Sequence, residues 1–538
     1  MKKIRFNHIT IIFFFLFFVL GLKVCADYLV TPDEPLHRIN GFISLKYIVE
    51  LFSINLKNTE IFNEIPNLYN DWRKTYGVAF DLPLSLLELL FNLNIENSFL
   101  LRHYLNFLIF FTSVIYFFIL AKRITKNEKL AFLGVLILVS TPRIFSHSFY
   151  NSKDIIFLSL FIISIYYLLE LINKFSYKKL FLSCLFCALA SNIRIIGIFL
   201  PFLTIIFYYF LDNKYKIKKD LYFVAYLIFL YFFLLYFSWP FLWESPIKNL
   251  LSIIKESSSY PNHWNFKILY LGKYINPETL PWHYFFIWFF STTPVLFIMF
   301  IIYGIVYFLK KYLPFFLKIN FSKNIQLWKN REDMNILFLF LCFFIPLFIV
   351  ITLNSTLYNG WRHLFFIYPV LIIISLFGLK NIFKKFTKYI IFIPFLISLQ
   401  LLSNFYFIYK SHPVQNVYFN FISKPFIKGN LPIDYWGLGN KTSIDFLVIK
   451  KNTFNISSSS FTPLSNLKYS NKKDFSYSEN IKFLGTQKKN KNKSDFIFTN
   501  FYYNRDPKNV EKFKIPKNYK SYYKLKIDGI VVNEVFAK

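Results

Sequence analysis

The sequence predicts a polytopic membrane protein, all-α in its body, with a small α/β or β-rich domain at its C-terminal end. Three observations carry that expectation. Of the 538 residues, 55% are hydrophobic, with 73 Phe and 38 Tyr, more apolar surface than one soluble core can absorb. Apolar runs near the length needed to cross about 30 Å of hydrocarbon recur along the chain. Short loops rich in Lys and Arg alternate between those runs, the pattern of loops held in the cytoplasm.

Taken in order, the runs cover residues 9–26, 98–121, 130–146, 155–169, 195–211, 221–239, 284–309, 336–353, 364–379 and 390–408. The shorter run 180–190 is a further crossing or a re-entrant half helix, which gives about eleven spans. Four regions follow: residues 1–26 as a first transmembrane helix, 27–97 as an outer loop, 98–408 as the multi-spanning body, and 409–538 as a C-terminal domain. The basic start Lys2, Lys3 and Arg5 lacks a small-residue cleavage site, so the first helix reads as retained. The loops around Lys122–Lys129, Lys174–Lys179, Lys214–Lys219, 310–331 and 380–388 alternate correctly only with the N-terminus in the cytoplasm. That arrangement places the 27–97 loop and the C-terminal domain outside.

The outer loop is the acidic face of a basic protein. It holds ten acids against five bases, while the whole chain carries a formal charge of +33. In a soluble chain such charge would suggest nucleic acid. Here much of it sits in membrane-flanking loops and a Lys/Asn-rich tail, so no nucleic-acid partner is expected. Amphipathic stretches at 42–52 and 82–91 are expected to lie along the membrane surface. In the tail, Lys524 to Val532 reads as a hairpin turning at Asp528-Gly529. The cysteines Cys25, Cys184, Cys187 and Cys342 all fall in or beside apolar runs and read as packing residues.

Thr31-Pro32-Asp33-Glu34 is the most informative stretch, two adjacent carboxylates just beyond the first apolar run. A carboxylate where lipid meets water can take a proton from an acceptor hydroxyl. The same residues also suit a helix start, with Thr31 as N-cap and Glu34 as the returning member of a capping box. Cations gather at span ends: Arg102-His103, Arg143 with His147, Lys153 beside Asp154, Arg194, and Arg362-His363. Each alone has an ordinary explanation in snorkelling or capping. Together, outside an acidic loop, they suit a phosphate or pyrophosphate leaving group.

These residues carry a resemblance. The acid pair, Asn151-Ser152-Lys153-Asp154, Ser191-Asn192-Ile193-Arg194, Leu280-Pro281-Trp282-His283-Tyr284 and Tyr358-Asn359-Gly360-Trp361-Arg362-His363 resemble the integral-membrane GT-C glycosyltransferases. The branch is that of protein O-mannosyltransferases and lipid A aminoarabinose transferases. The stretches 412–420 and 434–437 are similar to bacterial members, and the likeness runs from Asp27 to Gly437. It implies a GT-C-like fold in the bacterial inner membrane and a polyprenyl-phosphate-linked sugar donor. It also implies inverting transfer to an extracytoplasmic acceptor that is a glycan, lipid or protein.

By the same resemblance Asp33 is the candidate base, with Glu34 supporting it. Arg102, His103, Lys153, Asp154, Arg194, Tyr358, Arg362 and His363 are the candidates for the donor phosphate and substrate. No cofactor is implied. A divalent metal at Asp33, Glu34 and Asp154 is used by some relatives and is not expected in this branch. The alternative function class is a lipid or polysaccharide transporter, which also needs many spans and cations facing a headgroup. Duplicated halves and paired broken helices, the marks of secondary transporters, are missing from the sequence pattern.

Overall fold

The computed structural model describes residues 7–211, 220–258, 267–316, 327–385, 392–449, 453–460, 464–469, 477–502 and 513–538. The basic start Lys2–Arg5, the loop lysines 214–219 and Lys388 lie outside the described residues.

Seven helices are long and apolar enough to cross a membrane: His8–Asp27, Ile95–Thr125, Asp154–Asn173, Val295–Pro314, Arg331–Thr352, Arg362–Lys385 and Phe392–Lys410. Counting one bent pair as a single span makes eight, and shorter apolar helices run over Ile195–Tyr209 and Tyr222–Ser238. The protein is therefore a multi-pass membrane protein, and the count of eleven is not reached by long helices among the described residues. Proline explains two of the differences. The expected span 130–146 is two helices, Glu128–Ser140 and Pro142–Tyr150, bent by 69°. Thr141, held extended before Pro142, cannot continue the first helix. Likewise the run 284–309 divides into Tyr284–Thr292 and Val295–Phe316, with Thr293 extended before Pro294.

Helix ends follow local chemistry. Asn7 caps the first helix by accepting from the Ile9 amide at 2.6 Å. Asn94 does the same for Asn97 at the start of Ile95–Thr125, at 2.9 Å. That helix opens with Glu96 and closes with Lys122 and Arg123, matching the dipole at both ends.

Burial orders the bundle. The span Asp154–Asn173 is 83% buried and Arg362–Lys385 78%, whereas His8–Asp27 and Phe392–Lys410 are 28% buried. The first two are thus the centre and the last two the lipid-facing rim. Both central spans begin at the polar residues of the candidate site.

The outer loop forms helices Glu34–Leu51 and Asp81–Leu90, which pack on each other. Leu51, Phe52, Leu90 and Phe91, at their ends, are exposed. A short hairpin, β1 Ile268–Tyr270 with β2 Lys273–Ile275, precedes helix Tyr284–Thr292.

The C-terminal region carries a five-stranded sheet of β3 Phe454–Ser458, β4 Ile481–Phe483, β5 Phe496–Thr499, β6 Lys520–Ile527 and β7 Ile530–Ala537, in the order β4-β3-β5-β7-β6. The first three strands run parallel, and β7 is antiparallel to β5 and β6. The expected hairpin is present. Asp528 and Gly529 both take positive φ, 50° and 83°, the two left-handed residues that a two-residue turn between twisted strands requires. This region closes directly over the outer loop. Asn466 Nδ2 donates to the Thr31 carbonyl at 3.1 Å, and Lys441 Nζ to the Asp27 carbonyl at 3.0 Å.

Candidate active site

Asp33 and Glu34 open the helix Glu34–Leu51, and their side chains take separate paths. Glu34 is 3% exposed. Its Oε1 accepts from the Thr31 amide at 2.7 Å and from Thr31 Oγ1 at 2.9 Å. This is one half of a capping box, the glutamate reaching back to the chain before the helix. Its Oε2 lies 2.8 Å from His103 Nε2. His103 Nδ1, 3.2 Å from the Cys25 carbonyl, must donate there. The Glu34–His103 contact therefore shares one proton between imidazole and carboxylate. The other half of the expected box is absent, because Thr31 Oγ1 donates to Glu34 rather than accepting from the helix. Asp33 occupies the N-cap position and makes no side-chain cap hydrogen bond.

The Asp33 carboxylate faces Arg362 instead, with Nη1 donating to Oδ2 at 2.8 Å. It is the accessible member of the pair, its side chain 34% exposed. Arg362 begins a 3-10 turn, Arg362–Ile367, that feeds the central helix Tyr368–Lys385. Its guanidinium lies 4.7 Å from the Trp436 ring centroid and 5.9 Å from that of Tyr358, aromatic faces that hold a cation in place. The same Nη1 stands 3.6 Å from Asp154 Oδ2. One arginine thus links the carboxylate at the loop to the one at the start of the central span.

Asp154 is fully buried and is set by its neighbours in sequence. Asn151 Oδ1 accepts from the Asp154 amide at 3.0 Å, and Asn151 Nδ2 donates to Asp154 Oδ2 at 2.9 Å. The acid sits on the favourable end of the helix Asp154–Asn173. Its Oδ1 pairs closely with Arg194, which caps the C-terminal end of Tyr177–Ile193. The pair therefore complements two helix dipoles at once. Asn192 fixes the approach to Arg194: its Oδ1 accepts from the amides of Val78 and Ala79 at 2.7 and 2.9 Å, and its Nδ2 donates to the Ser238 carbonyl at 2.8 Å. Ser191 accepts from Tyr231 Oη at 2.8 Å.

A second polar layer lies beside this one. Lys153 Nζ is 3.3 Å from buried Asp81 Oδ2 and donates to the Gly77 carbonyl. His37 Nδ1 is 3.0 Å from Ser152 Oγ. Burial, against the pull of Asp81, holds His37 far below its usual range, at about 3. Tyr358 and His363 flank Arg362, their rings edge to face at 5.4 Å. Gly360 takes φ of 77°, and a Cβ there would lie 2.8 Å from Tyr435 Oη. Glycine is thus needed twice for the chain to pass Tyr435 and set Arg362 over Trp436.

Of the residues named from the sequence, Asp33, Asp154, Arg194, Arg362, His363 and Tyr358 come together, with Lys153 in the adjoining layer. Arg102 and His103 are engaged elsewhere. Arg102 Nη1 donates to Glu88 Oε2 at 3.1 Å, and Arg38 forks onto the same carboxylate, so this buried cluster ties the surface helices to the span Ile95–Thr125. Arg143 donates to the Tyr418 carbonyl at 3.1 Å and lies 4.8 Å from the Phe419 ring. Sequence reasoning missed Asp81, His37 and Trp436. Trp436 belongs to the Asp434-Tyr435-Trp436-Gly437 turn, where Asp434 accepts from the amides of Gly437, Leu438 and Gly439 at 3.0, 3.2 and 2.8 Å. Glu34 is drawn off to Thr31 and His103, while Asp33 and Asp154 share Arg362. Among the described residues no group of three His, Cys, Asp or Glu side chains gathers to hold a metal.

The arrangement places an accessible carboxylate against an arginine with a second ion pair behind it. Arg194 Nε and Arg362 Nε are buried with no hydrogen-bond partner among the described residues, leaving directed donors unspent.

A family model described as dolichyl-phosphate-mannose-protein mannosyltransferase matches residues 84–239. Over that segment, which holds Lys153, Asp154 and Arg194, the chain is similar to GT-C glycosyltransferases, as the residue patterns suggested. Among solved structures it is similar to the crystal structure of ArnT from Cupriavidus metallidurans bound to undecaprenyl phosphate. That likeness has 12% identity and a TM-score of 0.38, and covers 69% of this chain and 60% of that one. The chain thus spans less than two thirds of that protein's length. No curated protein matches this sequence.

Proposed function

We propose that this membrane protein transfers a sugar from a polyprenyl-phosphate-linked donor to an extracytoplasmic acceptor, with Asp33 as the base. The observation that carries the reading is the Asp33–Arg362 contact at 2.8 Å, an accessible carboxylate beside a cation at the head of a central span. Asp33 removes the acceptor hydroxyl proton as that oxygen bonds to the anomeric carbon. The bond from that carbon to the phosphate oxygen breaks, and polyprenyl phosphate leaves with the electron pair. The attack comes from the face opposite the leaving group, so configuration inverts. Arg362 and Arg194 balance the departing charge, using directed donors that a point charge lacks.

The resting ion pairs give an order of events. Asp33 and Asp154 together match the charge of Arg194 and Arg362, so a donor phosphate must compete for the guanidinium groups. Competition at Arg362 frees the Asp33 carboxylate for the acceptor. Glu34 supports Asp33 indirectly by fixing the turn through Thr31 and His103. Lys153 acts through Asp81 and the Gly77 carbonyl. No metal is assigned a role, and the acceptor side is taken as extracytoplasmic from the loop charges.

Asp33→Asn tests the assignment. Asn is nearly isosteric and Asp33 makes no cap bond, so folding should survive. Transfer from a polyprenyl-phosphate sugar should fall by about 10²- to 10⁴-fold, the usual loss of a general base. A variant that turns over at the parental rate would remove Asp33 from the chemistry.

A further inference from the structure

A cavity of about 640 Å³ lies between the start of helix Val295–Phe316 and the end of helix Phe392–Lys410, beneath the β6–β7 turn. Its size falls within the range of small-molecule sites. Its lining is apolar at Val295 and Leu296 and, on helix Phe392–Lys410, at Phe407 and, farther from Lys410, at Leu399 and Leu396. Between Phe407 and Leu399, Ser403 and Gln400 add polar groups, and at the mouth stand Lys410, Lys424 and Lys526. The one acid among the described lining residues, Asp528, pairs with Lys424. Lys410 and Lys526 therefore leave the mouth cationic.

This groove is separate from the Asp33 site. The Arg143 guanidinium stands behind it, 4.8 Å from the Phe419 ring and 5.4 Å from that of Trp288. None of Asp33, Asp154, Arg194 and Arg362 lines it. Along helix Phe392–Lys410 the lining runs from the cation Lys410 at its end, past Phe407, through Ser403 and Gln400 to the aliphatic Leu399 and Leu396. By the helical rise, Ser403 lies about 10 Å and Leu399 about 16 Å from Lys410. An amphiphile with an anionic head has the same order. A lone lysine at a helix end would snorkel to any headgroup. Here the two cations come from a membrane helix and from a sheet hairpin far along the chain, and one headgroup would bridge them.

We infer that the groove holds one anionic phospholipid of the surrounding bilayer, its phosphate between Lys410 and Lys526 and an acyl chain along Leu396 and Leu399. The bound lipid pins the β6–β7 hairpin to the membrane helices.

Native mass spectrometry of the full chain, purified in detergent and exposed to phosphatidylglycerol or phosphatidylcholine with matched chains, tests this. One phosphatidylglycerol should be retained per chain and phosphatidylcholine only weakly. Retention of phosphatidylglycerol should fall about tenfold in the Lys410→Glu/Lys526→Glu double variant, given the usual attraction of a lysine to an anionic surface. Leu399→Trp, at a half-exposed position, fills the groove without altering charge and should lower retention similarly. Equal retention of both lipids, or undiminished phosphatidylglycerol in both variants, overturns the inference. Preferential uptake of polyprenyl phosphate over phosphatidylglycerol also overturns it, since the groove would then serve the donor.

Discussion

Two neighbouring carboxylates, Asp33 and Glu34, are employed differently because one faces inward and the other does not. Glu34 is spent on Thr31 and His103, leaving Asp33 to meet Arg362. On the proposed reading the guanidinium matters for its fork. Replacing Arg194 or Arg362 by Lys keeps the charge and loses directed donors, so transfer by either variant should fall about 10²-fold or more at normal expression. Lys variants as active as the parent would reduce both residues to caps and anchors. His37 offers a different readout. Burial holds its imidazole at about 3 against an ordinary 6.5, so the unfolded chain takes up this proton first as pH falls. The stability it contributes is complete above about 6.5 and drains away toward pH 3. In a thermal-melt series the gap between wild type and His37→Gln should narrow as pH drops from 7 to 4, whereas a constant gap would mean His37 is not held neutral. At this scale the sequence showed which residues were unusual but not their partners. Arg102 reads like Arg362 in the chain, yet Glu88, one helix away on the surface, takes it.

Proline divides two of the expected spans, at Pro142 and Pro294, while Pro346 sits inside the continuous helix Arg331–Thr352. Hydropathy sees apolar length and overlooks the direction change at Thr141-Pro142 and the helix break at Thr293-Pro294, although the proline signal was in the sequence. The ordered motifs were more legible, because capping is local. Asn151 caps Asp154 from three residues away, and the Asp528-Gly529 turn folds as its residues require. The approach to Arg194 was not legible, since Asn192 reaches across to Val78, Ala79 and Ser238. Asn192→Ala leaves one buried and one half-buried amide without an acceptor, at about 1–3 kcal/mol for the buried one and less for the other. Denaturation should show a loss of about 2–5 kcal/mol, with transfer reduced as Arg194 shifts. Unchanged stability would mean those amides find other partners.

At the scale of the whole molecule, the central spans Asp154–Asn173 and Arg362–Lys385 carry the ion pairs at their heads, and the C-terminal region closes over the same face. Asn466 reaches the Thr31 carbonyl, and Trp436 lies under Arg362. On the proposed reading, the acceptor arrives between the outer loop and the C-terminal region and the lipid-linked donor from the bilayer. A transporter would move that donor intact; a transferase must cleave it. The deciding measurement is made on the purified chain in proteoliposomes with labelled polyprenyl-phosphate sugar and an acceptor extract. Free polyprenyl phosphate should accumulate in step with label on the acceptor, and Asp33→Asn should release neither. Donor that crosses the bilayer with its sugar still attached, and no polyprenyl phosphate released, would contradict the account.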